Sequence, residues 1–189
     1  MHVVHNAVND SVFYDVREAY RSSNWDTIQQ ERKNYFEREF KEDRPEIPGA
    51  DEIYTAHFCR SSYLEGSQTV QTAVKSYILP TILKHLPNAD KYKNTELRAY
   101  KLLQGGHFRI HRDDYRAGLG FIWYLSTRWK WDWGGLLLTI DHDGNASVEI
   151  PEPNKLVILD HTNTQRAHCV TPVTSAALEP RQMLVGFLS

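Results

Sequence analysis

The sequence lacks the features that mark secreted, membrane or nucleic-acid-binding proteins. Only 2 of its 189 residues are cysteine, which is too few for a disulfide framework. It has no run of about 18 apolar residues that could span a bilayer, and its first residues show no basic region followed by an apolar one, as a signal peptide would require. With a formal net charge of -2 and no dense Lys/Arg run, it gives no reason to expect a nucleic-acid partner. These absences predict a cytoplasmic protein with no membrane contact.

The composition is that of an ordinary soluble globular protein. Hydrophobic residues make up 41% of the chain and charged residues 24%. A length of 189 residues is enough for one domain with a sizeable core. No repeat, low-complexity tract or linker divides the chain, so we expect one domain over residues 1–189. The sequence does not indicate an oligomeric state.

The first half of the chain has helical periodicity and the second half has strand periodicity. Apolar spacing predicts a helix over residues 11–43 and a second helix after Gly66-Ser67, with a kink at Pro80. Short alternating segments follow from about residue 96, separated by turn residues. The eight predicted strands are 96–103, 108–113, 120–126, 135–141, 146–150, 155–160, 166–173 and 182–189. Helices followed by strands predict an α+β fold, with helices packed on one face of a β-sandwich or jelly roll.

The chain contains a His-x-Asp pair, His111 and Asp113. On a strand, residues i and i+2 project from the same face, so both side chains could bind one ion. One further His would complete the set of two histidines and one carboxylate that suits non-heme Fe(II) and leaves coordination positions open. The later histidines are His142, in a turn, His161, near the end of a strand, and His168, within a strand. The position within an alternating strand favours His168.

An arginine opens the last predicted strand, which is otherwise apolar. This residue is Arg181. A cation at the edge of an apolar strand is unfavourable unless it is paired. Its planar guanidinium suits bidentate binding of a carboxylate. A dicarboxylate that chelates the metal at one end could therefore pair with Arg181 at the other.

The ordered set His111, Asp113, His168 and Arg181 resembles the Fe(II)/2-oxoglutarate-dependent oxygenases, in particular their prolyl 4-hydroxylase-like branch. The resemblance covers residues 96–189. Further segments match in the same order, namely Tyr100 before Gly-Gly-x-Phe-x-x-His-x-Asp, Tyr124-Leu125-Ser126 before Trp129, Trp133-Gly134-Gly135-Leu136-Leu137, Leu156–Leu159 and His168–Val173. The interval before Arg181 is longer than usual in that branch, and the residues after it differ. Neither change removes a required group.

The resemblance implies a double-stranded β-helix (jelly-roll) core over residues 96–189. Residues 1–95 would be mainly helical and would form a support and substrate region. The implied reaction is hydroxylation of an unactivated C–H bond with Fe(II), O2 and 2-oxoglutarate, which releases succinate and CO2, and with ascorbate as a further candidate cofactor. Related halogenases lack the carboxylate ligand, so Asp113 favours hydroxylation. The substrate would be a small molecule, an amino acid or a prolyl or peptidyl residue.

The resemblance also implies roles for single residues. His111, Asp113 and His168 would bind the iron. Arg181 would pair with the distal carboxylate of 2-oxoglutarate, and the Tyr124 hydroxyl would hydrogen-bond near the same carboxylate. A contact with the co-substrate, or with its pocket, is implied for Tyr100.

Three more residues are candidates for binding the primary substrate. Arg109 precedes His111 by two residues and Arg166 precedes His168 by two, so on regular strands both would share the metal-facing side. Both could bind an anionic part of the substrate, and the alternative is a solvent-facing rim charge. Trp131 could line the mouth of the site. Two other interpretations of the chain stay open, a non-catalytic sensor of 2-oxoglutarate and metal, and a cupin-like metalloprotein that does not use 2-oxoglutarate.

Overall fold

Two antiparallel sheets and a layer of helices make up the described part of this computed structural model. It describes residues 1–27, 58–111, 118–140, 144–160 and 167–189, with the backbone alone at Thr27, Arg109 and His111. None of the helices within these ranges is long and apolar enough to cross a membrane.

The first helix is shorter than the sequence pattern predicts. Helix α1 spans Asp10–Arg21 and begins at Asn9, whose side chain accepts a hydrogen bond from an N–H of the first turn. It ends at Ser22, whose hydroxyl donates to carbonyls of the last turn and so competes with continued helix. The chain then enters strand β2, Asp26–Thr27. The predicted helix over 11–43 is therefore wrong just after α1, and its remainder lies outside the described residues.

A distorted helical segment covers the position of the predicted kink. Helix α3, Gln68–Ala73, continues through a π-helical turn, Val74–Ile78, into helix α4, Leu79–His85. The wide turn ends two residues before Pro80, which has no N–H to donate and whose ring crowds the preceding turn. The predicted distortion takes this form. The segment is flanked by helix α2, Ser62–Gly66, and a 3-10 turn, Pro87–Lys91.

Each of the eight predicted strands has a counterpart in the structure. They are β4 (Thr95–Leu102), β5 (Phe108–His111), β6 (Leu119–Tyr124), β7 (Leu137–Ile140), β8 (Ala146–Glu149), β9 (Leu156–Asp160), β10 (Ala167–Val170) and β11 (Arg181–Leu188). Strands β1 (His2–Val4), β2 and β3 (Phe58–Arg60) are not predicted by the sequence. They are 2 or 3 residues long, too short for alternation to show.

The strands form two sheets that face each other. The larger sheet has the order β1-β9-β6-β11-β4-β3-β2, and the smaller has the order β5-β10-β7-β8. One face of the larger sheet packs against the helices and buries Phe121 and Trp123. Its opposite face, the inner face, packs against the smaller sheet and buries Ile122 and Tyr124. Alternation along each central strand therefore supplies two separate cores.

Gly186 of β11 leaves the space that the Phe121 ring fills. A Cβ at position 186 would lie 2.1 Å from Phe121 Cε1, and Phe121 is fully buried. Gly186→Ala should therefore lower the free energy of unfolding by about 1–3 kcal/mol through overpacking, as measured by urea denaturation. Gly66→Ala is the control, because no heavy atom lies within 4 Å of that Cβ position. The control should be neutral or stabilising, and equal destabilisation by both variants would contradict this packing.

Candidate active site

Two of the three predicted metal ligands occupy opposite positions on neighbouring strands. Strand β10 pairs with β5 in antiparallel fashion, and the register places His168 opposite His111. His168 is buried, with 7% exposure. Opposed positions of an antiparallel pair belong to one face of the sheet, with Cβ atoms about 4.5–5.5 Å apart. The register thus brings both histidine positions to one place on the smaller sheet.

Several predicted site residues fall partly or wholly outside the described ranges. Nothing is described of Asp113, Arg166 and the alternative ligand His161, and of Arg109 and His111 only the backbone is described. Within the described ranges, no group of three His, Cys, Asp or Glu side chains could hold a metal ion. Two of the three proposed iron ligands, His111 and Asp113, have side chains outside the described part of the chain. The ligand set therefore stays a prediction.

Arg181 is a fully buried cation at the start of β11. Its Nη2 donates to the Tyr124 hydroxyl at 3.2 Å, and its guanidinium carbon lies 4.9 Å from the centroid of that ring. Nη1 donates to the Met183 sulfur. Among the described residues, Nε has no hydrogen-bond partner and no carboxylate pairs with the guanidinium. Burial lowers the pKa of Arg181, and Tyr124 opposes that shift.

The hydroxyl of Tyr124 stays protonated beside this cation. Tyr124 is fully buried at the end of β6, and burial raises the pKa of its hydroxyl against the opposing effect of Arg181. The hydroxyl accepts a hydrogen bond from Arg181 and keeps its own proton to donate. Glu149 also raises this pKa, but its Oε2 lies 3.3 Å from Lys155 Nζ and so has a cation already. Arg181 and Tyr124 together therefore offer donors to an anionic oxygen.

Gly135 makes room for the Arg181 side chain. A Cβ at position 135 would lie 2.9 Å from Arg181 Cδ and 3.2 Å from the Trp129 ring, at a φ of +61°. Both the close approach and the positive φ require glycine. The adjoining Gly134 forms a β-bridge with Val173, three residues beyond the end of β10. The two glycines therefore bring the segment that follows β10 beside Arg181.

Tyr100 lies on the inner face of the larger sheet, and its ring contacts a ring of the smaller sheet. On β4 it is opposite Met183, which follows Arg181 by two residues on β11. Its ring lies 5.4 Å from the Phe58 ring and 6.2 Å from the Phe108 ring of β5. Burial raises the pKa of the Tyr100 hydroxyl. This placement is compatible with shaping the co-substrate pocket, a role that stays a prediction.

The tryptophans divide into buried and exposed groups. Trp123 belongs to the core between the larger sheet and the helices. Trp129 and Trp133 belong to the inner core, which lies between the two sheets, and their rings are 5.3 Å apart. Trp131, in the 3-10 turn Trp131–Trp133, is 73% exposed and is part of neither core. It is therefore accessible at the surface, and its role toward a substrate stays a prediction.

Two inner-face residues near the site are not identified by the sequence patterns. Met183 contacts the Arg181 guanidinium, and Arg98 donates to the Tyr100 hydroxyl at 3.5 Å. Strand alternation would place both residues on the inner face, because Met183 and Arg98 each lie two residues from a residue that the sequence does identify.

The second half of the chain matches a protein-family model. The model, described as the 2OG-Fe(II) oxygenase superfamily, matches residues 95–189, which is half of the chain. No curated protein matches the chain in sequence.

Solved structures match almost the whole chain in fold. A prolyl hydroxylase from Trichoplax adhaerens, in complex with a peptide fragment of the hypoxia inducible factor oxygen degradation domain, has a TM-score of 0.70 at 13% identity over 99% of this chain and 82% of its own. A 2OG-Fe(II) oxygenase family oxidoreductase from Burkholderia pseudomallei has a TM-score of 0.70 at 11% identity over 98% and 82%. A Pseudomonas putida prolyl-4-hydroxylase has a TM-score of 0.54 at 17% identity over 93% and 97%. At these identities the likeness is one of fold, and it confirms the predicted double-stranded β-helix core with helices on one face.

Removal of the Tyr124 hydroxyl should destabilise the ligand-free protein. Tyr124→Phe leaves the buried Arg181 without its hydroxyl acceptor, which should lower the free energy of unfolding by about 1–3 kcal/mol. Tyr20→Phe is the matched control, because the buried Tyr20 hydroxyl has no hydrogen-bond partner in the described part of the chain. Urea denaturation should show the control to be neutral or stabilising. A larger loss in the control than in Tyr124→Phe would overturn the assigned contacts.

Proposed function

Because the chain belongs to the 2OG-Fe(II) oxygenase superfamily, we propose that it is an Fe(II)- and 2-oxoglutarate-dependent dioxygenase that hydroxylates an unactivated C–H bond. Membership of the superfamily implies Fe(II), 2-oxoglutarate and O2 as components of the reaction. The substrate would be a small molecule, an amino acid or a prolyl or peptidyl residue, with ascorbate as a further candidate cofactor. The Trichoplax adhaerens neighbour is in complex with a peptide fragment, which supports a peptide among these substrates.

The buried Arg181 is the observation that carries this proposal. Its guanidinium has an orphaned Nε and pairs with no carboxylate among the described residues. A buried cation without a counter-ion is unfavourable, and bidentate binding of a carboxylate would supply one. The neutral Tyr124 hydroxyl beside it can donate to the same carboxylate. This donor set fits the distal carboxylate of 2-oxoglutarate.

Two histidines and one carboxylate would hold the iron. The β5–β10 register supports His111 and His168 as neighbours in this set, and Asp113 would supply the carboxylate. Such a set suits Fe(II) and leaves positions open for the co-substrate and O2. Iron bound there supplies the oxidation in which 2-oxoglutarate and O2 give succinate, CO2 and a hydroxylated substrate.

The residues of the chain contribute orientation and exclusion of water. Arg181 and Tyr124 would hold one end of the co-substrate. Val170, Val173 and Met183 belong to the inner core that surrounds this region. An apolar surrounding strengthens an ion pair relative to water and would keep solvent away from the co-substrate carboxylate.

Complex formation and turnover test the proposal separately. Anaerobic addition of Fe(II) and 2-oxoglutarate should give a visible charge-transfer band, and admission of O2 with a substrate should release succinate. His168→Ala should abolish both signals. Cys169→Ala is the matched control, because Cys169 is the next residue on β10 and is partly exposed, whereas His168 is buried. The control should retain both signals.

Other outcomes identify the alternatives. A band without succinate release for any peptide or metabolite tested would indicate a non-catalytic sensor. Metal binding that does not change when 2-oxoglutarate is added would indicate a cupin-like metalloprotein. Either result would contradict the proposed dioxygenase.

A further inference from the structure

The space between the two sheets opens toward the end that lies away from Arg181. On the inner face of β11, exposure increases from the fully buried Arg181 to the partly exposed Phe187. On the paired strand β4, it increases from the fully buried Leu102 to the exposed Glu96. Glu96 and Phe187 are opposite each other in the register. Among the described residues, this end of the inner face is therefore more exposed to solvent than the end at Arg181.

Contacts at Arg181 set a common direction on the two sheets. Leu102 of β4 is directly opposite Arg181. Val173, three residues beyond the end of β10, meets the Cβ position of Gly135, and that position lies beside Arg181 Cδ. On both β4 and β10, residue numbers therefore decrease with increasing distance from Arg181.

An aromatic contact aligns the two sheets along this direction. The Phe108 ring of β5 lies 6.2 Å from the Tyr100 ring of β4, and Phe108 is opposite Val170 of β10. The next same-face position away from Arg181 is Arg98 on β4 and His168 on β10. Arg98 therefore lies on the inner face at the level of the histidine pair, on the opposite sheet.

Arg98 places a cation on the inner face opposite the pair His111 and His168, toward the more exposed end of that face. Its Nε lies 2.7 Å from Glu96 Oε1, its guanidinium carbon lies 5.6 Å from the Phe187 ring centroid, and Nη1 lies 3.5 Å from the Tyr100 hydroxyl. Its side chain is 16% exposed and that of Glu96 is 50% exposed. An ion pair with so exposed a partner contributes little to stability. Glu96 can therefore give way to an incoming carboxylate.

Resting on the proposed function, we propose that Arg98 binds a carboxylate of the primary substrate and so selects acids. Guanidinium groups bind carboxylates in bidentate geometry, and the Phe187 ring below would support the pair. Facing sheets lie about 10 Å apart. If the carboxylate binds Arg98 and the oxidised carbon lies beside the histidine pair on the opposite sheet, only a few bonds can separate the carboxylate from that carbon. The carboxylate belongs to a free small acid or to a peptide.

Lys101 supplies a control on the same strand. It is three residues from Arg98 on β4 but lies on the opposite face, where its Nζ is 4.8 Å from the Trp25 ring centroid. Lys101→Gln removes one positive charge without changing the inner face. Arg98→Gln removes one charge from the inner face, and Arg98→Lys keeps the charge but loses the bidentate geometry.

Matched acids and amides test this inference. The probes are L-amino acids, their primary amides, and acetylated tripeptides with a free or amidated C-terminus, each assayed for stimulated succinate release. Acids should be preferred over amides by about tenfold or more, and Arg98→Gln should raise KM for the acids by about 10- to 100-fold. Arg98→Lys should recover part of this loss, and Lys101→Gln should behave as wild type. Preference for the free amino acids or for the free tripeptides identifies the source of the carboxylate.

A separate binding measurement distinguishes failure of this inference from failure of the proposed function. Calorimetric titration of the Fe(II)-loaded protein with 2-oxoglutarate under anaerobic conditions should give dissociation constants for wild type and Arg98→Gln that agree within about twofold. If wild type does not bind 2-oxoglutarate, the proposed function itself fails. If it binds but amides match acids, if no acid stimulates succinate release, or if Arg98→Gln impairs acids and amides alike, the role of Arg98 is overturned.

Discussion

A buried arginine that pairs with no carboxylate in the described part of the chain is the constraint on which this site depends. Arg181 is fully buried, and its partners are the Tyr124 hydroxyl and the Met183 sulfur. Such a cation is unfavourable in the ligand-free protein. Gly135 leaves the space that its side chain requires. Under the proposed function, the distal carboxylate of 2-oxoglutarate would supply the missing negative charge.

The rest of the site follows from how the two sheets are joined. Gly134 bridges to Val173 beside Arg181, and Phe108 meets Tyr100 at the next level. These contacts place Arg181 in the buried part of the inner face and the positions of His111 and His168 nearer its exposed end. A co-substrate bound through Arg181 would therefore lie beneath a substrate that enters from solvent. The sheet register would thus set the order of the two ligands.

Short apolar segments separated by turn residues were sufficient to predict most of the jelly roll. The central strands β6 and β9 are buried on both faces and are therefore apolar along most of their length. This pattern was insufficient for β1, β2 and β3, which are 2 or 3 residues long. The helical pattern continued past Arg21 in the sequence, but the hydroxyl of Ser22 ends the helix locally. Hydrophobic periodicity in a sequence does not reveal such a capping contact.

Residue type and order in the sequence were enough to identify candidate site residues. His168 and Arg181 stand out because a histidine in an alternating strand and an arginine in an apolar strand are unusual there. The alignment of Arg98 with the histidine pair was not predictable. It depends on which strands are neighbours and on contacts between rings distant in sequence, such as Tyr100 and Phe108. Alternation alone places Arg98 on the face of Tyr100 but does not say what lies opposite.

Two ligands that differ only at the distal end test the role of Arg181 directly. 2-Oxopentanoate keeps the keto-acid group of 2-oxoglutarate but has a methyl group in place of the distal carboxylate. Calorimetry with the Fe(II)-loaded protein under anaerobic conditions should show wild type to prefer 2-oxoglutarate by about 10- to 100-fold, and Arg181→Met should bind the two ligands equally. If Arg181→Met retains the wild-type preference for 2-oxoglutarate, Arg181 does not bind the distal carboxylate and the account is wrong.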